Sequence, residues 1–222
     1  VESWAETVTD IGLDVFGIGE TRLSPLDKHR LVEDVFRRQG YTVISHNRNE
    51  ALHSDDPSIN SSGVILGIPS ATPGGLSLVR KDSNSRAIAA NVPYCSASTI
   101  RVLSLYGPTA AMTQRFSHSP HGLREERELV IFVTEELEKA LRNDWPLLVL
   151  GDANSFPSLV LDRSGGTFIL REASLAAKLI SRGGTDTFRH RHPLLKGLSY
   201  IHNIGTATRL DQKWLFPPAG TN

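Results

Sequence analysis

Apolar and polar positions along this chain repeat with two spacings, and each spacing predicts one kind of element. Apolar residues three or four positions apart predict helices over 2–11, from Ser24-Pro25 to Gly40, over 124–142 and over 172–181. Short apolar or alternating runs between turn residues predict strands over 13–18, 41–45, 63–67, 76–79, 86–92, 100–106 and 147–152. Further extended segments are expected at 187–188, 198–202 and 208–216. Helices interspersed among many strands predict an α/β fold whose sheets are covered by helices.

The same spacing predicts which side of each helix is buried. The expected apolar sides are Trp4, Val8 and Ile11 in the first helix, Leu31, Val32, Val35 and Phe36 in the second, and Leu129, Phe132, Val133, Leu137, Ala140 and Leu141 in the long one. Gly40 is expected to end the second helix, since glycine adopts the left-handed conformation at low cost.

Composition restricts the classes of protein to consider. With 222 residues, 39% hydrophobic and 22% charged, the chain matches a soluble globular protein, and we predict a single domain over residues 1–222 because no linker-like run divides it. It has no apolar run long enough to cross a bilayer and no signal peptide at its start, so no membrane partner is expected. Cys95 is the single cysteine, which excludes an internal disulfide and favours an intracellular protein. The formal net charge is zero, so contact with nucleic acid requires a local basic face.

Chemically useful side chains stand where the predicted strands stop. Four apolar residues precede Gly151, where glycine allows a tight turn. This turn would place Asp152 and Asn154 close together at the edge of a sheet. A carboxylate there can take a proton from water, and an amide can donate hydrogen bonds to an oxyanion. Glu20 and Tyr106 close two other strands. Gly-Asp-x-Asn is also ordinary turn chemistry, so a purely structural interpretation stays open for this motif.

Carboxylates at several strand ends suggest a metal site. Glu20, Asp152, Asp186 and Asp211 are the acidic residues in such positions. Three or four carboxylates converging on one face would form an oxygen-rich pocket that suits magnesium or manganese. Zinc fits less well, because the sequence supplies no cysteine cluster and no helical histidine pair.

Five motifs occur in an order that resembles the endonuclease/exonuclease/phosphatase superfamily, the deoxyribonuclease-I-like fold. They are Gly19-Glu20-Thr21-Arg22-Leu23, Leu105-Tyr106-Gly107-Pro108, Leu150-Gly151-Asp152-Ala153-Asn154, Asp186-Thr187-Phe188-Arg189 with Pro193, and Arg209-Leu210-Asp211. The resemblance covers nearly the whole chain and implies a four-layered α/β sandwich, in which two packed mixed sheets are flanked by helices. Within the superfamily, the loop 162–166 and the run from Gly184 to Asp211 are most similar to the endonuclease domains of non-LTR retrotransposons.

The resemblance implies a role for each matched residue. Glu20 would ligate the metal, a magnesium ion or a manganese ion in its place. Asp152 would orient or deprotonate the attacking water, Asn154 would donate to the scissile phosphate, and Tyr106 would bond a non-bridging oxygen. Asp211 would orient a histidine. Substrate-facing loops would be held or lined by Arg189, Ser199 and Tyr200.

Structural interpretations compete with several of these roles. Glu20 could be a solvated strand-end acid and Tyr106 a core residue. Asp186 could cap a turn, and Asp211 could pair with Arg209 on the same strand. The basic run from 189 to 192 could bind phosphate, although a solvated loop is the simpler interpretation for its histidines.

Two parts of the family pattern have no match in this chain: a first strand that ends in asparagine, and a final Ser-Asp-His segment. We expect either a trimmed piece of a longer polypeptide or a degenerate relative. The leading hypothesis is a magnesium-dependent phosphodiesterase that nicks DNA, as the endonuclease domain of a retroelement-like polyprotein, which implies a nuclear location. Alternatives are a phosphoesterase of the same fold acting on RNA or on a lipid or inositol phosphate, and a binding module without catalysis.

Overall fold

The computed structural model describes residues 1–21, 26–47, 62–94, 98–108, 120–155, 158, 161–164, 175–198, 200–201, 207–208 and 211–218. At 26–27, 120–123, 163, 200–201 and 207–208 it describes the backbone alone. The chain packs as two compact units, Val1–Tyr106 and Gly107–Asn222.

The elements of the first unit follow one another closely along the chain. They are α1 (Glu2–Ile11), β1 (Phe16–Gly19), α2 (Leu26–Arg38), β2 (Tyr41–His46), β3 (Val64–Pro69), β4 (Ser77–Lys81), β5 (Ala87–Tyr94) and β6 (Ser98–Tyr106).

Two antiparallel sets of strands form the first unit. One has the order β1-β3-β2, and the other pairs β4 with β5 and β5 with β6. The hydroxyl of Ser104 on β6 donates to the carbonyl of Ile65 on β3 at 2.9 Å, so a buried hydrogen bond joins the two sets. The alternation of side chains in β2, with Tyr41, Val43 and Ser45 buried, turns one face of this sheet inward.

Helices α1 and α2 share an aromatic core with the β1-β3-β2 sheet. The ring of Phe16 stacks on Phe36 with centroids 5.3 Å apart and meets the edge of Tyr41 at 5.5 Å. Two residues expected in this core are exposed instead: Ile11 is 62% exposed and Leu31 is 52% exposed. Ile11 is the last residue of a helix that ends at a left-handed glycine, and Leu31 lies at the edge of an inward stripe formed by residues 32, 35 and 36.

The second unit begins with a long helix and continues with shorter elements. They are α3 (Pro120–Arg142), β7 (Leu147–Asp152), β8 (Arg163–Ser164), α4 (Leu175–Ser181), β9 (Thr185–Asp186), α5 (Thr187–Arg191), β10 (Tyr200–Ile201), β11 (Ala207–Thr208) and β12 (Asp211–Phe216).

Strand β12 lies between β7 and β9 and pairs antiparallel with both. Its residues alternate strictly, with Gln212, Trp214 and Phe216 buried and the residues between them exposed. Period-two burial shows that one face of this strand is turned to the core and the other to solvent. The short strands β10, β11 and β8 form a separate antiparallel set.

Several predicted boundaries need correction. Residues 187–188, expected to be extended, begin helix α5, because Asp186 caps it by accepting from the backbone N–H of Phe188 at 3.0 Å. Leu141 is 50% exposed because it lies in the last turn of α3 and outside the buried stripe. The helix predicted from 124 begins at Pro120, and proline is favoured in the first turn of a helix. The first predicted strand begins at Phe16 instead of residue 13.

Other sequence expectations fall outside the described residues, namely the helix start at Ser24-Pro25, residues 172–174, and Arg209-Leu210. The predicted α/β architecture of sheets flanked by helices is confirmed. Across the ranges described above, no helix combines the length and the apolar character needed to span a bilayer.

Candidate functional site

Glu20 directly follows β1 and adopts the left-handed conformation with a φ of 53°. Its neighbour Thr21 is buried, and the Thr21 hydroxyl donates to Oδ1 of Asn47 at 2.6 Å. The Thr21 N–H also donates to the carbonyl of Gly63 at 3.2 Å. Left-handed backbone is costly for a residue with a Cβ, so these bonds hold Glu20 in a geometry that it would otherwise avoid.

Gly63 completes the support of this turn. It has a φ of 114°, and a Cβ at this position would collide with both the Asn47 amide and the Thr21 hydroxyl. Glycine is therefore required at this position for two reasons, conformation and space. The turn after β1 is fixed against the end of β2 and the residue that precedes β3.

Tyr106 ends β6 and is 2% exposed. A Cβ on Gly19 would lie 3.0 Å from Cδ2 of Tyr106, so the strand that ends before Glu20 packs directly on the tyrosine ring. The fully buried guanidinium of Arg86 lies over the same ring, 5.7 Å from its centroid. The Tyr106 N–H donates to the Arg86 carbonyl at 2.8 Å. Within the first unit, the two predicted site residues thus stand at neighbouring strand ends.

In the second unit, Asp152 ends β7 and faces Asp211, the first residue of β12, in the strand register. Two carboxylates directly opposite each other repel unless a cation or a hydrogen-bond donor compensates their charge. Oδ1 of Asp152 accepts the backbone N–H of Asn154 at 2.7 Å, which closes a tight turn after the strand. The antiparallel pairing of β7 with β12 therefore brings Asp152, Asn154 and Asp211 together.

The turn from Asp152 to Asn154 is tied to the backbone of Gly107. The Gly107 N–H donates to the Asp152 carbonyl at 2.7 Å, and Nδ2 of Asn154 donates to the Gly107 carbonyl at 2.7 Å. A Cβ on Gly107 would collide with the carbonyl of Ala153. Ala153 is itself buried. Asn154 has a φ of 47°, and asparagine tolerates this conformation better than most residues.

The guanidinium of Arg189 is engaged by its own unit. It forms an ion pair with the fully buried Asp162, and its Nη1 donates to the carbonyls of Leu195 at 2.5 Å and His192 at 3.3 Å. The guanidinium also lies 5.2 Å from the centroid of the Phe188 ring. These contacts hold the segment from His192 to Leu195, which fits the predicted role of supporting a loop. Direct contact of Arg189 with substrate stays a prediction.

Other predicted positions are only partly described. Ser199 and Arg209 lie outside the described residues, and Tyr200 is described only as a backbone position in β10. Asp186 is buried and caps α5, so its geometry is that of the structural alternative. His190 and His192 are exposed, as expected, but His190 lies in helix α5 and His192 caps its end, so this run is not a loop.

Sequence patterns missed the residues that support the site. Asn47, Gly63, Arg86 and Gln212 carry no local motif, and their importance comes from contacts with distant parts of the chain. One signal was available: a polar residue at an inward position of an alternating strand needs a buried partner, and Gln212 is such a residue in β12.

The fit to a divalent cation rests on the chemistry of the donors. The predicted residues Glu20, Asp152 and Asp211 offer carboxylate oxygens, which suit magnesium or manganese. The expected convergence of three or four such groups is not found: among the described residues, no three histidine, cysteine, aspartate or glutamate side chains form a group that could hold a metal ion. The carboxylates that the strand register places opposite each other are the pair Asp152 and Asp211.

Solved structures with a similar fold include AP endonucleases and a 3' phosphatase. AP endonuclease LMAP from Leishmania major is 16% identical, with a TM-score of 0.71 and coverage of 96% of this chain and 73% of that one. An AP endonuclease from Archaeoglobus fulgidus is 16% identical, with a TM-score of 0.67 and coverage of 95% and 79%. The 3' phosphatase NExo from Neisseria, bound to product DNA hairpin, is 17% identical, with a TM-score of 0.66 and coverage of 97% and 80%.

These similarities confirm the fold predicted from the five motifs, a deoxyribonuclease-I-like α/β sandwich. No protein-family model and no curated protein sequence matches the chain.

Proposed function

We propose that this chain is a metal-dependent phosphodiesterase that nicks DNA. The observation that carries the proposal is the fixed turn at the end of β7, where Asp152 faces Asp211 and Asn154 is tied to Gly107. A carboxylate and an oriented amide at one strand end are the groups needed to activate water and to stabilise charge on a phosphoryl oxygen. The solved structures that share the fold include AP endonucleases and a 3' phosphatase.

In this proposal Asp152 takes the proton from the attacking water. Its Oδ1 already accepts the Asn154 N–H, which fixes the direction of the carboxylate. The amide Nδ2 of Asn154 carries two hydrogens. One bonds the Gly107 carbonyl, and the other donates to a non-bridging oxygen of the scissile phosphate. Asp211 keeps the role that the resemblance implies, orientation of an imidazole.

Glu20 would hold a magnesium ion, or a manganese ion in its place. When bound, such an ion polarises a phosphoryl oxygen and shields the charge that develops during attack. Tyr106 donates to a non-bridging oxygen in the same proposal. Arg189, Ser199 and Tyr200 hold or line the loops that face the substrate.

DNA is the proposed substrate, and the endonuclease domain of a retroelement-like polyprotein, acting in the nucleus, is the proposed context. The product DNA hairpin in the Neisseria phosphatase structure supports nucleic acid as the ligand class. The net charge of zero argues that binding depends on local contacts to the phosphate backbone. We therefore expect low sequence specificity.

The test is nicking of supercoiled plasmid by this chain, with Mg²⁺ and with the ion removed by EDTA. Asp152→Ala should lower the nicking rate by about 10²–10⁴-fold, because it removes the general base. Glu138→Ala, which removes an exposed acid from α3, is the matched control and should leave the rate unchanged. Full activity of Asp152→Ala would exclude Asp152 from the mechanism.

Parallel assays separate the alternatives. Poly(A), inositol phosphates and sphingomyelin should be hydrolysed more slowly than plasmid DNA. Faster hydrolysis of one of them would identify that compound, instead of DNA, as the substrate. Titration calorimetry should detect Mg²⁺ binding. Retained DNA affinity without Mg²⁺ binding or cleavage would favour a binding module without catalysis.

A further inference from the structure

Gln212 occupies an unusual position for an uncharged polar residue. It follows Asp211 in β12, and its side chain is 6% exposed on the inward face of the strand. In the register it faces Gly151, which contributes no side chain to that face. A buried primary amide left without partners costs about 1–3 kcal/mol, so its hydrogen bonds must be accounted for.

Two hydrogen bonds fix the orientation of this amide. Nε1 of Trp214 donates to Oε1 of Gln212 at 2.9 Å, and Nε2 of Gln212 donates to the carbonyl of Ser155. An indole N–H can only donate, so the amide oxygen must face Trp214 and the NH₂ group must face Ser155. Trp214 is 1% exposed and pairs with Val149 in the strand register. The indole therefore has a fixed position from which it bonds the Gln212 amide.

Ser155 is the residue that follows Asn154, and it is held from a second side. Its hydroxyl accepts the backbone N–H of Ala176 at the start of α4, at 3.0 Å. Asn154 therefore lies between two fixed points, its own bond to the Gly107 carbonyl and the Ser155 carbonyl held by Gln212. A shift of Ser155 would rotate the peptide that follows Asn154, which already has a φ of 47°.

We propose that Gln212 is a positioning residue for the proposed reaction. Trp214 fixes the Gln212 amide, and this amide holds the Ser155 carbonyl and thereby the turn that carries Asp152 and Asn154. Its role in catalysis rests on the proposed function. Its role in holding the turn does not, and the two can be tested separately.

The decisive variant is Gln212→Met, which keeps the length of the side chain and removes both hydrogen bonds. We expect the side-chain amide resonances of Asn154 to shift and broaden, together with the Trp214 indole resonance, in nitrogen–proton correlation spectra of the full chain. Val133→Ala, a cavity variant in the buried stripe of α3, is the control for general destabilisation and should leave these resonances in place. Unchanged Asn154 resonances in Gln212→Met would overturn the proposal.

Activity supplies the second readout. Gln212→Met should lower kcat for plasmid nicking by about 10–100-fold with KM within about twofold, because a small misplacement of reacting groups costs that much. Val133→Ala should keep the kcat of the unmodified chain. If the unmodified chain does not nick DNA, the proposed function fails, and the resonances alone decide whether Gln212 holds the turn. Displaced Asn154 resonances at full kcat would overturn the catalytic role.

Trp214→Phe provides an independent route if Gln212→Met does not fold. It removes the indole donor and leaves Gln212 in place, so the amide loses the bond that sets its orientation. Shifted Asn154 resonances would support the proposal, and unshifted ones would overturn it.

Discussion

Each unit places a non-glycine residue with positive φ at the exit of a strand, and each holds that residue differently. Glu20 has a φ of 53° and Asn154 a φ of 47°. Next to Glu20, the Thr21 hydroxyl donates to the side-chain amide of Asn47, in addition to the backbone bond from Thr21 to Gly63. At Asn154, the side-chain amide donates to a backbone group, the Gly107 carbonyl, in addition to the local bond from the Asn154 N–H to Asp152.

This difference predicts unequal tolerance to change. A buried side chain can shift by a few tenths of an ångström to make room for an added atom. A backbone segment can shift only together with its neighbours. We expect the strand end with Asp152 to be the more rigid of the two, which would suit the proton transfer proposed for Asp152. We expect the strand end with Glu20 to yield more readily, which would suit the ion binding proposed for Glu20.

The largest expected effect compares two glycine substitutions. Gly107→Ala should lower the free energy of unfolding by about 3 kcal/mol, because the added Cβ meets the Ala153 carbonyl. Gly19→Ala should cost about 1 kcal/mol, because its Cβ meets the Tyr106 ring at 3.0 Å and the ring can shift. Urea denaturation measures both. Equal costs would show that the two strand ends do not differ in rigidity.

A smaller effect is expected when the side-chain support of Glu20 is removed. Thr21→Val deletes the buried hydroxyl that donates to Asn47 and should lower the free energy of unfolding by about 1–2 kcal/mol. The turn should loosen, so the Mg²⁺ concentration for half-maximal nicking should rise. Thr21→Ser retains the hydroxyl and is the matched control, with the Mg²⁺ requirement of the unmodified chain. The same Mg²⁺ requirement in Thr21→Val would remove Thr21 from the support of Glu20.

The strand ends that carry the candidate chemistry could be predicted from the sequence. Strand β6 ends at Tyr106 and β7 at Asp152, as the pattern indicated, and β1 ends at Gly19, one residue later than predicted. These boundaries are local: an apolar run stops where glycine, proline or a turn-forming side chain follows. The fold class followed from the same information, because the motifs occur in a recognisable order.

The supporting contacts could not be predicted in this way. Thr21 and Asn47 are 26 positions apart, and Gln212 and Ser155 are 57 positions apart, so no local spacing marks either pair. Helix α5 was missed because its start depends on the Asp186 cap, which a run of two residues that favour strands does not reveal. Long-range contacts decide these features, and a sequence pattern records only neighbours.

The last comparison replaces Glu20 and Asn154 by glycine, and the free energy of unfolding should change in opposite directions at the two strand ends. Glu20→Gly relieves left-handed strain worth about 1–2 kcal/mol, but it also adds about 0.4–1 kcal/mol of unfolded-chain entropy, so the net gain in stability is about 0.5–1 kcal/mol. Asn154→Gly relieves little strain, because asparagine tolerates this conformation. It also loses the bond to the Gly107 carbonyl and adds the same unfolded-chain entropy, so it should cost about 1–2 kcal/mol.

Chemical denaturation with an unchanged m-value measures both signs, and plasmid nicking should be lost in both variants because each removes a proposed functional side chain. Asp144→Gly, at a φ of 54° in the turn after α3, is the control for glycine in left-handed backbone away from either strand end and should leave nicking intact. A loss of stability in Glu20→Gly would show that its side chain contributes more to folding than its strained backbone costs. Glu20 would then be a structural residue, and its proposed role as the metal ligand would lose its physical basis.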